Sequence, residues 1–266
     1  MDWWAKSLLT MASVALVLAL ARRWGGSAAG IVAGLPTTTA PALGWMAHEQ
    51  GAPFAAHAAA ATVAACALMA AFALAYAHAS LRLRPRGVAL ARGAAAALAM
   101  VGPVLAAGDH LLPALGLAGV CSVLAWRAWP PSFGGAPAQA DAPARPWITT
   151  ALPAITAGTL SLGLAAAGPV IGTVVAGLLA SLPVVSVTVA LVQHADRGAG
   201  AARQFLLGTV AGLFGRMAFG TVFAAAVPGC GIGTAMALAA GAAVMVNLAC
   251  MARLARGPAL ERLARG

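Results

Sequence analysis

The residues best placed to do chemistry gather around two prolines. Gly34-Leu35-Pro36-Thr37-Thr38-Thr39-Ala40-Pro41 interrupts an otherwise apolar run. Pro36 has no N–H to donate and its ring clashes with the preceding turn, which frees a carbonyl in the middle of the run; Pro41 repeats the disruption. Thr37, Thr38 and Thr39 supply hydroxyls that re-satisfy that backbone or face a ligand. A mirror stretch, Ser181-Leu182-Pro183 followed by Ser186 and Thr188, recurs in the second half of the chain. Paired Gly/Pro interruptions in two halves of a membrane chain point to a binding site at the midplane. The plainer alternative is a pair of kinked packing helices whose hydroxyls bond back to their own carbonyls.

Arg216 lies in Leu-Phe-Gly-Arg-Met-Ala-Phe, deep in another apolar run, with Gly212, Gly215 and Gly220 around it. A guanidinium in hydrocarbon costs several kcal/mol unless it is paired or wetted. Two partners compete for it: an anionic substrate, or carbonyls such as those freed by Pro36 and Pro183. Asn247 is the one amide in a deep apolar run and is expected to hydrogen-bond between helices. Glu49 and Asp196 each come two residues before a glycine, with His48 and His194 beside them. Such groups act as gates or proton-exchange points, or are simply solvated helix ends. A Walker loop, a nucleophile elbow, a His-Glu-x-x-His motif and paired deep carboxylates are all missing from the sequence. An enzyme is therefore not expected, nor is a cofactor or a metal site.

The elements that must position these groups follow from composition. The chain has 266 residues, 62% hydrophobic and 8% charged, with mean hydropathy +0.90. Soluble domains carry about 25% charged residues, so a soluble fold could not cover its own surface. The net charge of +10 comes from arginines scattered singly between apolar runs, which argues against a nucleic-acid partner. Cys66, Cys121, Cys230 and Cys250 form no Cys-x-x-Cys pair and read as small buried hydrophobes. Arg22 and Arg23 follow the first apolar run and Asp2 precedes it, the wrong order for a cleaved signal peptide.

A spanning helix needs about 20 mostly apolar residues. Nine candidates are expected, at 3–22, 27–47, 53–78, 88–107, 110–127, 147–166, 169–193, 204–227 and 231–252. The weakest boundary is Gly108-Asp109, between the fourth and fifth. With nine spans, fourteen of the sixteen basic residues fall on one side. Basic loops mark the cytoplasm, so the N-terminus is expected outside and the C-terminus inside. The Pro/Gly/Ala-rich loop at 128–146 reads as a flexible linker.

Residues 25–72 align without gaps on 172–219, an offset of 147, with fourteen of 48 positions identical. Gly30–Pro36 matches Gly177–Pro183, and Phe72 matches Phe219. Spans one to four map onto six to nine, leaving the fifth unpaired, and an odd span between two four-span units turns the second unit upside down. The expected architecture is all-α: a polytopic transmembrane bundle of two inverted four-helix repeats. The first repeat covers 1–107, a linking span and loop 108–146, the second repeat 147–253, and a cytoplasmic tail 254–266.

The stretch from Ala5-Lys6-Ser7-Leu8-Leu9 through Arg22-Arg23-Trp24 into Ala29-Gly30-Ile31-Val32-Ala33-Gly34-Leu35-Pro36 and Glu49-Gln50-Gly51 resembles the GlpM-type family of small bacterial inner-membrane proteins. The resemblance covers about 80 residues per half. It implies two such units fused through an extra helix, located in a bacterial inner membrane, and implies no mechanism. The expected function is a secondary transporter or flippase for a small substrate, anionic if Arg216 binds it. Its site would lie between spans two, seven and eight: Pro36, Thr37–Thr39, Pro183, Ser186, Thr188, Arg216 and Asn247. The alternative is a non-transporting accessory or assembly protein of an envelope or polysaccharide pathway. The expected partners are the lipid bilayer and a small molecule or ion, with a homodimer left open.

Overall fold

The computed structural model describes residues 11–12, 30–31, 35–36, 39–82, 86–130, 155, 159, 172–181 and 184–263. Among them every regular element is helical. The helices are α1 (Thr39–Gln50), α2 (Ala52–Arg82), α3 (Arg86–Ala99), α4 (Val101–Ala107), α5 (Leu111–Arg127) and α6 (172–180). The continuous helical stretch Val184–Leu263 breaks at Gly198 (φ 84°) and Gly231 (φ 76°), giving α7 (184–197), α8 (199–230) and α9 (232–263).

Alanine-rich sequence favours these helices, because alanine loses least on entering one. Glycine ends them: Gly51 separates α1 from α2 at φ 91°, and Gly108 closes α4 at φ 61°. Both are left-handed backbone conformations that a Cβ disfavours. Pro103 cannot donate to the Ala99 carbonyl and crowds the turn before it, which accounts for the break between α3 and α4 at Met100.

Three described stretches are long and apolar enough to cross a membrane: Ala52–Leu81, Arg86–Ala107 and Ser186–Leu254, the last broken at Gly198 and Gly231. Leu111–Arg127 is apolar but shorter. The nine continuous spans expected from sequence are not found among the described residues. The first and sixth, 3–22 and 147–166, lie almost wholly outside them. The second and seventh are not single helices: the chain bends at 35–36 before α1, and turns at Ser181 between α6 and α7. At about 1.5 Å per residue, twelve-residue α1 is some 18 Å long, too short to cross a core of about 30 Å alone.

α2 is the central post. It packs against α3, α5 and the Val184–Leu263 stretch, and most of its surface is buried. The helices around it do the reverse. Leu98, Leu112, Leu238, Met245 and Leu248 are exposed, at 71%, 81%, 53%, 69% and 56%. Large apolar side chains turned outward around a small-residue core are compatible with lipid as the surrounding solvent. α5 turns Ala114, Ala118, Ser122 and Ala125 inward, a stripe of small residues that lets its backbone approach closely.

Several contacts recur at the 147-residue offset. Gly51 and Gly198, both at positive φ, divide α1 from α2 and α7 from α8. Phe72 stacks on Tyr76 at 5.7 Å and their counterparts Phe219 and Phe223 stack at 6.0 Å. Gly30 lies against the backbone of Phe205, Gly208 and Thr209, while its counterpart Gly177 lies against Ala58 and Ala61, the counterparts of Phe205 and Gly208. Gly220 of α8 meets Ala59, Thr62 and Val63 of α2; the later α8 residues Phe219, Phe223 and Val227 share a core with Ala55, Ala58 and Ala59, whereas the earlier Phe205, Leu206 and Val210 share one with Phe72, Tyr76 and Ala79. The index therefore falls along α8 as it rises along α2, and these two helices run antiparallel. In the third helix the offset becomes 146: Ala89 and Gly93 pack inward in α3, as Ala235 and Ala239 do in α9.

Candidate binding site at the interrupted helices

Each interruption leaves a helix end deep in the fold. α1 begins at Thr39, whose backbone lies just past the Leu35–Pro36 bend, and Ala40 N–H bonds the Pro36 carbonyl at 2.8 Å. α6 ends at 180, where Ser181 N–H closes a tight turn on the Leu178 carbonyl at 3.1 Å. The two ends meet: the Thr39 hydroxyl, fully buried, donates to the Ala180 carbonyl at 3.4 Å. A helix start carries unpaired N–H groups and a helix finish carries unpaired carbonyls, so the junction offers both polarities in one place.

Arg216 closes the third side. It lies midway along α8, is 7% exposed, and donates from Nη2 to the Leu35 carbonyl at 3.3 Å. The carbonyl beside Pro36 is thus one partner of the guanidinium. The bond ties α8 to the bend before α1, as Thr39 ties α1 to α6. Ser181 is buried at the end of α6, and its hydroxyl has no hydrogen-bond partner among the described residues.

Asn247, on α9, packs its amide against the Cα of Gly215, where a Cβ would overlap it. The residue is 5% exposed and both amide atoms lack a partner among the described residues, where the interhelical hydrogen bond expected of it is not formed. At the 146–147 offset its counterparts are Val101 and Met100, and Gly215 answers to Leu68. A glycine and an amide thus stand in the second half where the first half has large apolar residues.

Ser186 is buried and Thr188 half-buried, both on α7. Thr37, Thr38 and Pro183 lie outside the described residues. His48, Glu49 and Asp196 are exposed at the ends of α1 and α7, away from the junction. His194 instead pairs through its Nδ1 with the hydroxyl of fully buried Tyr76, 2.6 Å away.

A second polar contact lies at the other end of α2. The Thr173 hydroxyl, in α6, donates to Asp109 Oδ2 at 2.8 Å, and His57 Nδ1, in α2, sits 3.1 Å from the same oxygen. The Thr173 bond, helped by the nearby His57, holds the Asp109 carboxyl below its ordinary value against a smaller opposing effect of burial. Sequence reasoning missed Tyr76, His57, Asp109 and Thr173, whose partners lie 52 to 118 residues away. The polar Gly108-Asp109 pair between two apolar runs was the one local signal.

Comparison with protein-family models, curated proteins and solved structures returns no match.

Proposed function

We propose that this chain is a secondary transporter or flippase of a small substrate, working by alternating access between two inverted repeats in a bacterial inner membrane. The observation that carries the proposal is the meeting of two interrupted helices, one from each half, through Thr39 and Ala180 beside buried Arg216. Discontinuous helices facing each other at mid-depth are where secondary transporters hold substrates. The antiparallel course of α2 and α8, and the paired glycine breaks at Gly51 and Gly198, support the inverted arrangement. The nine-span topology, an outside N-terminus and cytoplasmic C-terminus, and the GlpM-like kinship belong to the same proposal.

The site comprises Leu35, Pro36, Thr39, Ser181, Ser186 and Arg216, with Asn247 on its α9 side. Arg216 would exchange the Leu35 carbonyl for an anionic group, which binds a guanidinium about twice as strongly as a neutral acceptor. Rocking one half against the other would expose the junction to each side in turn. The Tyr76–His194 bond would tie one end of α2 to α7, and the Asp109 contacts the other end of α2 to α6.

Protein reconstituted in liposomes should take up small carboxylate- or phosphate-bearing anions, and Arg216→Ala should cut uptake about tenfold or more, the worth of one charged hydrogen bond. Flux unaffected by the substitution would refute the role given to Arg216. The Arg216–Leu35 bond also favours a second reading, because a guanidinium already held by backbone suits a packing helix. A non-transporting accessory protein of an envelope pathway would bind no anion at this junction and would copurify with its complex.

A further inference from the structure

The short helix α6 is held at both ends. At one end the Thr173 hydroxyl donates to Asp109 Oδ2 at 2.8 Å, and His57 Nδ1 of α2 lies 3.1 Å from the same oxygen. At the other end the Ala180 carbonyl accepts from Thr39 of α1. Between them Gly177 lies against Ala58 and Ala61 of α2, with no side chain of its own in the seam. Thr173 and Ala180 stand about 10 Å apart along the helix at 1.5 Å per residue. The Asp109 contacts and the interrupted-helix junction are thus the two ends of one rigid piece.

We infer that His57 and Asp109 form a proton-binding pair whose charged form clasps α6 onto α2 and so holds the Thr39–Ala180 junction shut. Gly108, at φ 61°, turns the chain between α4 and α5 and brings Asp109 beside both helices. The Thr173 bond fixes the carboxylate and, with His57 nearby, keeps it ionised near neutral pH. The His57 side chain is 60% exposed and that of Asp109 23%, so the imidazole meets water while the carboxylate is sheltered. Histidine is the side chain that gains or loses a proton between about pH 5 and 8. With Nδ1–H toward the carboxylate, water delivers the proton to Nε2. A neutral hydrogen bond then becomes a charge-assisted one, about twice as strong. Among the described residues His57 is the one charged group that acts on Asp109. α6 brings no titratable group over 172–180, α4 none over 101–107, and α2 only His57 over 52–65. His110, next along the chain, is exposed, as are Cys230 at the end of α8 and His48 and Glu49 at the end of α1. At the 147-residue offset His57 and Thr173 answer to Gln204 and Gly26, so the pair belongs to one end of the molecule only. In the transport cycle proposed above, on which this last step rests, the proton is then the coupling ion.

The test uses the full chain in lipid nanodiscs, with the four native cysteines replaced by alanine and Ala176→Cys placed in α6, where the native side chain is fully buried. Labelling of that thiol by a small water-soluble maleimide is timed at about pH 5.5 and about pH 8, toward either end of the histidine range. His57→Gln keeps a hydrogen-bond donor but takes no proton. Dividing its labelling rate by the parent's at each pH cancels the thiol's own titration. The ratio should be about two- to fivefold in acid, the worth of a partly exposed ion pair, and close to one at the higher pH. Asp109→Asn should speed labelling in acid by at least as much. Should that variant fail to fold, His57→Gln, at an exposed side chain, decides. Gly200→Cys, exposed on α8, is the control and should label alike in every background. A merely structural contact would give the same ratio at both pH values, and that result, or no change at all, would overturn the inference. Liposome uptake of the anions named above keeps the two readings apart. Uptake with a ratio equal at both pH values overturns the proton pair and leaves transport standing. A pH-dependent ratio without uptake supports the pair and removes transport, the coupling role included.

Discussion

Alanine at Gly177 should loosen the junction between the two halves of the molecule. A Cβ there would stand 2.5 Å from the Ala58 carbonyl oxygen and 2.6 Å from the Ala61 Cβ. Ordinary contact distances are about 3.5–4.0 Å, so α6 and α2 would have to part by roughly 1 Å. Neither neighbour is the end of a flexible side chain, so the backbones themselves must move. Overpacking of this kind costs about 1–3 kcal/mol, partly offset by up to about 1 kcal/mol gained when glycine becomes alanine within a helix. The net loss should be about 1–2 kcal/mol. Gly30→Ala should behave alike, since its Cβ would run into the Phe205 carbonyl, the Thr209 nitrogen and the Gly208 Cα. Gly241→Ala is the control: nothing lies within 4 Å of its Cβ position, so only the helix-forming gain remains. Unfolding in mixed micelles, followed by fluorescence of the seven tryptophans, reads all three. If Gly177→Ala proved as stable as Gly241→Ala, the close approach of α6 to α2 would be wrong, and with it the reciprocal packing of the halves.

Asn247→Leu should stabilise the protein by about 1–3 kcal/mol, because both amide atoms are buried without partners; if anion uptake falls at the same time, the amide serves the site and not the packing. The Asp109 carboxyl sits below its ordinary value in the folded protein, chiefly through the Thr173 bond, so its contribution is complete above the unfolded pKa of about 3.9 and is lost as pH falls through the lower folded value. Asp109→Asn should therefore be less stable than wild type at pH 7 by under about 1 kcal/mol, and thermal melts should show that gap closing below about pH 4. A gap that stayed constant into acid would remove Asp109 from the account.

Much of the helical plan was legible because its punctuation is chemical and local. Gly51 and Gly198 stop their helices where the sequence alignment pairs them, and Gly108-Asp109 divides α4 from α5 as a polar pair between apolar runs should. Pro36 and Pro183 announced interruptions, and the chain indeed bends at 35–36 and turns at Ser181. What failed was continuity and extent. Apolar length alone counted 27–47 and 169–193 as single spans, although a proline in mid-run can divide it however hydrophobic it is. α2 and α8 run past their apolar stretches, to Arg82 and to 230, because a helix persists beyond the membrane while its residues favour it. The Arg216–Leu35 partnership was half legible: a buried arginine needs acceptors and an interruption at Pro36 leaves carbonyls outside a helix, but a separation of 181 residues hides the pairing. Tyr76–His194 was out of reach, since a lone tyrosine in an alanine-rich helix carries no local mark of its partner.

The most direct measurement is side-specific thiol labelling in intact cells, with the four native cysteines replaced by alanine. Pro53 and Gly200 correspond at the 147-residue offset; both are exposed and sit at the starts of α2 and α8. A membrane-impermeant maleimide should modify Pro53→Cys from outside and reach Gly200→Cys only after the membrane is opened. Modification of both from one side would contradict the opposed orientation on which the proposed alternating-access site rests.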